Sequence, residues 1–188
     1  MVAVFLVREI VMVESSLLED KRVLIVDDEP DVLETLEELL SMCEIVTASS
    51  FDEAKVLLET HRFDMAILDI MGVDGYKLLD MANEKRILAV MLTAHALTPE
   101  DTVKSYKRGA AFFVPKEEMA NITTFLGDVL EAKEKGENYW ARWLDRLGHY
   151  YDKKFGPGWK DSDREFWEAL SKQDWRLASV LRIEENKA

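Results

Sequence analysis

The sequence predicts an α/β protein: a five-stranded parallel, doubly wound sheet followed by a C-terminal α-helical hairpin. Three observations predict it. From residue 21 onward, short β-branched runs alternate with amphipathic stretches, the signature of βαβ units. The run 65–68 is apolar without a break, as a strand buried on both faces requires, and 87–92 repeats that pattern. The composition, 48% hydrophobic and 32% charged, is that of a chain with a packed core.

Residues 23–26 read as the first strand. Residues 31–41 follow as a helix with Val32, Leu33, Leu36, Leu39 and Leu40 on one face. Residues 44–48 make the second strand and 51–61 the second helix, with Ser50 or Asp52 able to cap it. The third strand, 65–68, leads to a short helix over 76–83 and then to the fourth strand at 87–92. Thr98 and Pro99 open the next helix, a hydroxyl cap followed by a residue suited to the first helical position. Gly109 ends that helix, 111–114 forms the fifth strand, and the fifth helix runs from near Glu117 to at least Leu130.

At 188 residues the chain has room for one full domain and a smaller appendage. We divide it into an N-terminal extension (1–20), the α/β domain (21–130) and a helical extension (131–188). The net charge of −13 lies almost entirely in residues 1–127, and neither half carries the basic footprint that direct nucleic-acid binding needs. The single cysteine, Cys43, excludes an intramolecular disulfide and reads as an ordinary core or half-buried position near a helix end. The first thirteen residues are too few to span a membrane and lack the marks of a signal peptide. They read either as a start assigned too early, with Met12 as the natural beginning, or as an extra strand or helix that docks on the body or a second subunit. A cytoplasmic location is expected in both cases.

Asp27 and Asp28 end the first strand, Asp69 the third, Thr93 follows the fourth and Lys116 the fifth. Right-handed crossovers put all these ends on one edge of the sheet, where open α/β sheets bind ligands. Crowded carboxylates either raise a pKa or recruit a cation, and an oxygen-only donor set suits Mg²⁺. A hydroxyl and an ammonium opposite such a metal would clamp a phosphoryl group, with Asp69 placed as nucleophile. Taken singly each residue has an ordinary reading: Asp28 or Asp31 as a helix cap, Thr93 as a turn residue, Lys116 as a solvated charge. Their joint order along the strand ends makes coincidence improbable.

The segments VLIVDDEPDVLETLEELL, AILDIMGVDGYKLL, VMLTAHA and GAAFFVPK closely resemble the receiver domain of two-component response regulators, over roughly residues 21–130. The resemblance implies a flavodoxin-like sheet of order 2-1-3-4-5 and phosphorylation of Asp69 by a sensor histidine kinase, with Mg²⁺-dependent self-phosphorylation and autodephosphorylation. It further implies Mg²⁺ held by Asp28, Asp69 and the Met71 carbonyl with Asp27 acting through water, and phosphoryl oxygens bound by Thr93 and Lys116. Thr93 and Phe113 would form the switch, Thr93 moving toward the phosphate and Phe113 turning inward, read out on the face of the fourth helix, fifth strand and fifth helix. The chain departs from the family where MGVDG is short and lacks a proline, where Glu117 follows Lys116, and in a trimmed connection to the fourth strand. None of these removes a required chemical group, so a competent receiver is expected.

Beyond Leu130, Trp140, Trp143, Leu144, Leu147, Tyr150 and Tyr151 recur on one helical stripe. FGPGW is a turn, and Ser162 with Glu165 reads as a capping box for a second helix carrying Phe166, Trp167, Leu170, Leu177, Ala178 and Leu181. Two helices bury too little to stand alone, so the hairpin must pack on the domain, the N-terminal segment or another subunit. The stripe reads as core, and the hairpin resembles no output domain. The leading reading is a phosphoacceptor switch acting through protein contacts with a downstream partner of unknown identity, with homodimer formation left open and no membrane partner. The alternatives are a phosphorelay intermediate and a DNA-binding transcription regulator with an atypical tail.

Overall fold

The computed structural model describes residues 16–93 and 98–171. Five parallel strands, β1 (Arg22–Val26), β2 (Glu44–Ala48), β3 (Met65–Asp69), β4 (Leu88–Thr93) and β5 (Phe112–Pro115), form one sheet of order β2-β1-β3-β4-β5. Every residue of β3 is buried, the consequence of its central place with helices on both faces. The chain moves from β1 outward to β2 and then back across to β3. Right-handed connections therefore put α1 (Pro30–Leu39) on the opposite face from α2 (Phe51–Thr60), α3 (Gly75–Glu84) and α4 (Pro99–Lys107). The helix after β5, α5 (Ile122–Lys135), meets α1, where the Thr123 hydroxyl donates to the Leu39 carbonyl at 3.3 Å.

Local chemistry sets the helix starts. Ser50 caps α2, accepting from the Glu53 N–H, and Thr98 with Asp101 forms a reciprocal capping box on α4. α1 departs from expectation. Its N-cap is Glu29 with no side-chain cap bond, Pro30 holds the first helical position, and neither Asp28 nor Asp31 serves as cap. The fifth helix also starts later than expected: residues Lys116–Asn121 wind as a 3₁₀ turn before α5 begins. Gly109, at φ 94°, closes α4, and Gly136, at φ 66°, closes α5; both take the left-handed backbone that suits glycine. Cys43 sits half-buried between α1 and β2, and burial pushes its thiol up to about 11.

Two further helices follow, α6 (Tyr139–Phe155) and α7 (Arg164–Ser171), joined through a 3₁₀ turn at Trp159–Asp163. Asp163, rather than Ser162 with Glu165, caps α7: its carboxylate accepts from the Phe166 N–H at 3.3 Å, while the Ser162 hydroxyl bonds back to the Trp159 carbonyl. The 3₁₀ turn occupies Ser162, which shifts the helix start by one to two residues. The expected extension of this helix through Leu177, Ala178 and Leu181 lies outside the described residues, as does the N-terminal segment 1–15.

The helical pair packs on the α4–β5–α5 flank of the sheet. Trp140, Trp143, Leu147 and Tyr151 are buried there, so the stripe is core. Tyr106 of α4 meets Trp140 and Phe166 edge-on, with ring centroids 5.2 and 5.0 Å apart, and Phe112 of β5 stacks with Phe125 of α5 at 5.4 Å. The indole N–H of Trp140 donates to the Ala110 carbonyl at 2.8 Å and that of Trp143 to the Phe113 carbonyl at 2.7 Å. These bonds satisfy backbone groups along the flank of an edge strand, which would otherwise offer a pairing site. Asp128 of α5 is 4% exposed and is anchored from the appendage by Arg146 at 2.7 Å and Arg142 at 3.3 Å.

Candidate functional site

Strand register brings the flagged residues level. Val26 lies opposite Leu68, so Asp27 and Asp69 stand side by side where β1 and β3 end, at the point where the strand order reverses. Asp69 pairs with Leu92 and Thr93 with Pro115, which steps Thr93 and then Lys116 along the same edge.

Lys116 ties the site together. Its ammonium lies 2.7 Å from Asp27, 2.7 Å from Glu29 and 3.2 Å from Asp69. Asp27 is fully buried and Asp69 is 3% exposed, so the attraction acts where water screens it weakly. Burial raises the Asp27 carboxyl above the usual carboxylate range, with Lys116 and the Glu29 N–H pulling the other way. Burial acts to lower the Lys116 ammonium, but its bonds to Asp27 and Glu29 and the charge of Asp69 outweigh this and hold it well above an ordinary lysine. Glu29 is a member of the site that sequence reasoning passed over; its place directly after the two flagged aspartates was the available signal.

The loop after β3 is shaped around the carboxylates. One Asp69 oxygen accepts from the Met71 N–H at 2.9 Å and the Gly72 N–H at 3.0 Å, which orients the side chain. A Cβ on Gly72 would fall 2.1 Å from the Asp28 carboxyl carbon, so the exposed Asp28 leans onto the same loop. A Cβ on Gly75 would fall 1.9 Å from the Asp69 carbonyl oxygen, so glycine there lets α3 start against the end of β3. Thr93 is 4% exposed at the tip of β4, and Phe113 is fully buried with its carbonyl taken by Trp143.

The donors along this edge, Asp27, Asp28, Asp69 and the loop backbone at Met71, are all oxygen, the set that hard cations such as Mg²⁺ prefer. The absence of a side chain at Gly72 opens the cradle in which Asp28 approaches the Asp69 loop. Among the described residues, no three acidic, His or Cys side chains are already gathered about one point, and the Lys116 ammonium lies between Asp27 and Asp69. The residues thus fit a divalent cation by the chemistry of their oxygen donors.

Comparison with known proteins identifies the family and the fold. The sequence model of the response regulator receiver domain matches residues 23–126, more than half of the chain. The chain is similar to the two-component response regulator ARR12 of Arabidopsis thaliana, 33% identical over 128 residues, covering 62% of this chain and 21% of that protein. It is also similar to the response regulator GtcR of Aneurinibacillus migulanus, 31% identical over 127 residues and covering 62% of this chain and 52% of that protein. The chain thus spans between about a fifth and a half of these relatives' length. Among solved structures, a CheY-like receiver domain protein from Methanospirillum hungatei superposes with a TM-score of 0.56 at 27% identity, covering 63% of this chain and 99% of that one. A response regulator from Chloroflexus aurantiacus gives 0.54 at 26% identity, covering 60% and 99%. The chain belongs to the response regulator receiver domain family of two-component systems. The family match ends at residue 126, before α6 and α7 begin. Among the described residues, no helix is long and apolar enough to cross a membrane.

Proposed function

We propose that Asp69 accepts a phosphoryl group from a phosphohistidine on a sensor histidine kinase, and that the chain signals through contacts with a downstream protein in the cytoplasm. The observation that carries this reading is the Lys116 ammonium, 3.2 Å from Asp69 at the strand-order reversal. An Asp69 oxygen attacks phosphorus, the phosphorus–nitrogen bond of the donor breaks, and its electron pair returns to the imidazole. Lys116 neutralises the phosphoryl oxygens, Thr93 donates its hydroxyl to one of them, and the Met71 and Gly72 N–H groups orient the carboxylate for attack. Asp28, Asp69 and the Met71 carbonyl would hold Mg²⁺, with Asp27 behind them; bound there, the ion supplies charge neutralisation between carboxylate and phosphoryl group. Hydrolysis of the acyl phosphate by water resets the site.

Incubation with radiolabelled acetyl phosphate and Mg²⁺ tests the assignment. Label is expected on the wild-type chain, to be abolished by chelation and absent from Asp69→Asn. Equal labelling of Asp69→Asn would remove Asp69 from the nucleophile's role.

A further inference from the structure

The Lys116 ammonium carries three N–H donors, and three carboxylates already lie within reach of it: Asp27 at 2.7 Å, Glu29 at 2.7 Å and Asp69 at 3.2 Å. An incoming phosphoryl oxygen therefore meets an ammonium whose donors are committed, and one partner must give way. The three differ in what release costs. Asp27 is fully buried, and a buried carboxylate stripped of its cation is strongly penalised. Asp69 is 3% exposed and keeps its charge until its oxygen has bonded phosphorus. The Glu29 side chain is 58% exposed, so water replaces the lost bond at little cost. Glu29 is the partner that yields.

The place of Glu29 in the chain argues against a role in building α1. It stands at the N-cap of that helix, where Ser, Thr, Asp and Asn are favoured because their short side chains bond the exposed N–H groups of the first turn. Its own side chain makes no cap bond and reaches across the sheet edge to Lys116 instead. Its backbone N–H donates to Asp27 at 3.0 Å, which fixes the residue at the rim of the site. A carboxylate held there occupies the ammonium that a phosphoryl group needs and adds repulsion against any negatively charged donor.

We infer that Glu29 is a positioning residue that brakes the loading of Asp69: it holds Lys116 in the unmodified site, and surrender of that bond is part of the barrier to accepting a phosphoryl group. This inference rests on the reading of Asp69 as phosphoacceptor and adds a residue that sets how readily the site takes an anionic donor.

The sign of one substitution separates a brake from a brace. Glu29→Gln keeps the length of an exposed side chain and removes its charge. If Glu29 only braced Lys116, this change would weaken anion binding; if it competes for the ammonium, the change tightens binding. Full-length wild type, Glu29→Gln and Glu59→Gln, the last making the same charge change at an exposed position of α2, are titrated with beryllofluoride at fixed Mg²⁺ and followed by ¹⁹F NMR. Glu29→Gln is expected to bind about 2- to 5-fold more tightly, the range of a partly exposed ion pair, and to be labelled faster by a similar factor at low acetyl phosphate. Glu59→Gln is expected to match the wild type, and Asp69→Asn to show no bound fluoride. Unchanged or weaker binding by Glu29→Gln, or equal tightening by Glu59→Gln, overturns the brake and leaves Asp69 as acceptor. No bound fluoride in the wild type overturns the acceptor reading and the brake with it.

Discussion

Replacing Trp143 by phenylalanine tests whether the appendage belongs to the folded body. The ring is fully buried, meets Tyr151 edge-on at 4.9 Å and stacks on Trp167 at 5.7 Å, and its N–H is the donor to the Phe113 carbonyl at 2.7 Å. Phenylalanine keeps an aromatic ring but leaves that carbonyl without its donor, a cost of about 1–3 kcal/mol. The vacated pyrrole edge adds about 1 kcal/mol, well below the cost of a full Trp→Ala truncation. The expected loss is about 2–4 kcal/mol. With a urea slope of about 2 kcal/mol per M, the unfolding midpoint should fall by about 1–2 M. Far-UV circular dichroism follows the whole chain, and tryptophan emission follows only the C-terminal extension, so each variant yields two curves. Their coincidence in the wild type is part of the prediction. A loss below about 0.5 kcal/mol, or an emission transition at lower urea than the dichroism transition, would refute the claim that α6 is continuous with the core.

Lys116→Ala leaves the fully buried Asp27 without its counter-ion, and urea unfolding should show a loss of about 3 kcal/mol, partly restored by adding Asp27→Asn; a neutral Lys116→Ala would contradict the geometry. Gly75→Ala puts a methyl 1.9 Å from a backbone oxygen and should lower stability by about 2–3 kcal/mol in a thermal melt. Gly72→Ala meets the Asp28 side chain first, and that side chain can swing away, so it should cost under about 1 kcal/mol while weakening Mg²⁺ binding by calorimetry; the reverse ranking would count against this loop geometry. Acid should loosen the appendage. Glu117 is held below its usual value by Lys154, which outweighs a partial burial penalty, and Glu131 is lowered to about 2 chiefly by its bond to Arg142. Their stabilisation is present above about 4.5 and lost as pH falls through the folded values, whereas Asp27, raised by burial, favours the folded state most below 3.8 and shifts the opposite way as pH rises. Emission that stays constant from pH 5 to 2 would contradict the first two assignments.

The framework of the site was legible because its signals are local. A strand buried on both faces needs an unbroken apolar run, as in Met65–Asp69, and a parallel sheet needs alternation with helices, so strand ends can be located residue by residue. Thr98 and Ser50 were readable as caps because a cap bonds within three residues of itself. Errors fell where the neighbour in space decides. Glu29 lies 87 residues from Lys116 in the chain, so its place after Asp27 and Asp28 could mark it as a candidate but not show that it shares the lysine. Ser162 loses its expected role because a 3₁₀ turn competes for the same residues.

Residue pattern alone set the fold class, the placement of Asp27, Asp28, Asp69, Thr93 and Lys116 at strand ends, and the apolar stripe of the appendage. Periodicity and the succession of elements along the chain carry that information without any knowledge of distant contacts. Which surface the stripe covers depends on contacts between elements far apart in the chain. Burial of Trp140, Trp143 and Tyr151 could have been satisfied by another subunit or by the N-terminal segment. What selects the α4–β5–α5 flank is the fit of particular donors to particular acceptors: two indole N–H groups to two strand-flank carbonyls, Tyr151 to Thr102, and Arg142 and Arg146 to the buried Asp128. Such pairings exist only once the strands and helices have been brought within hydrogen-bonding reach.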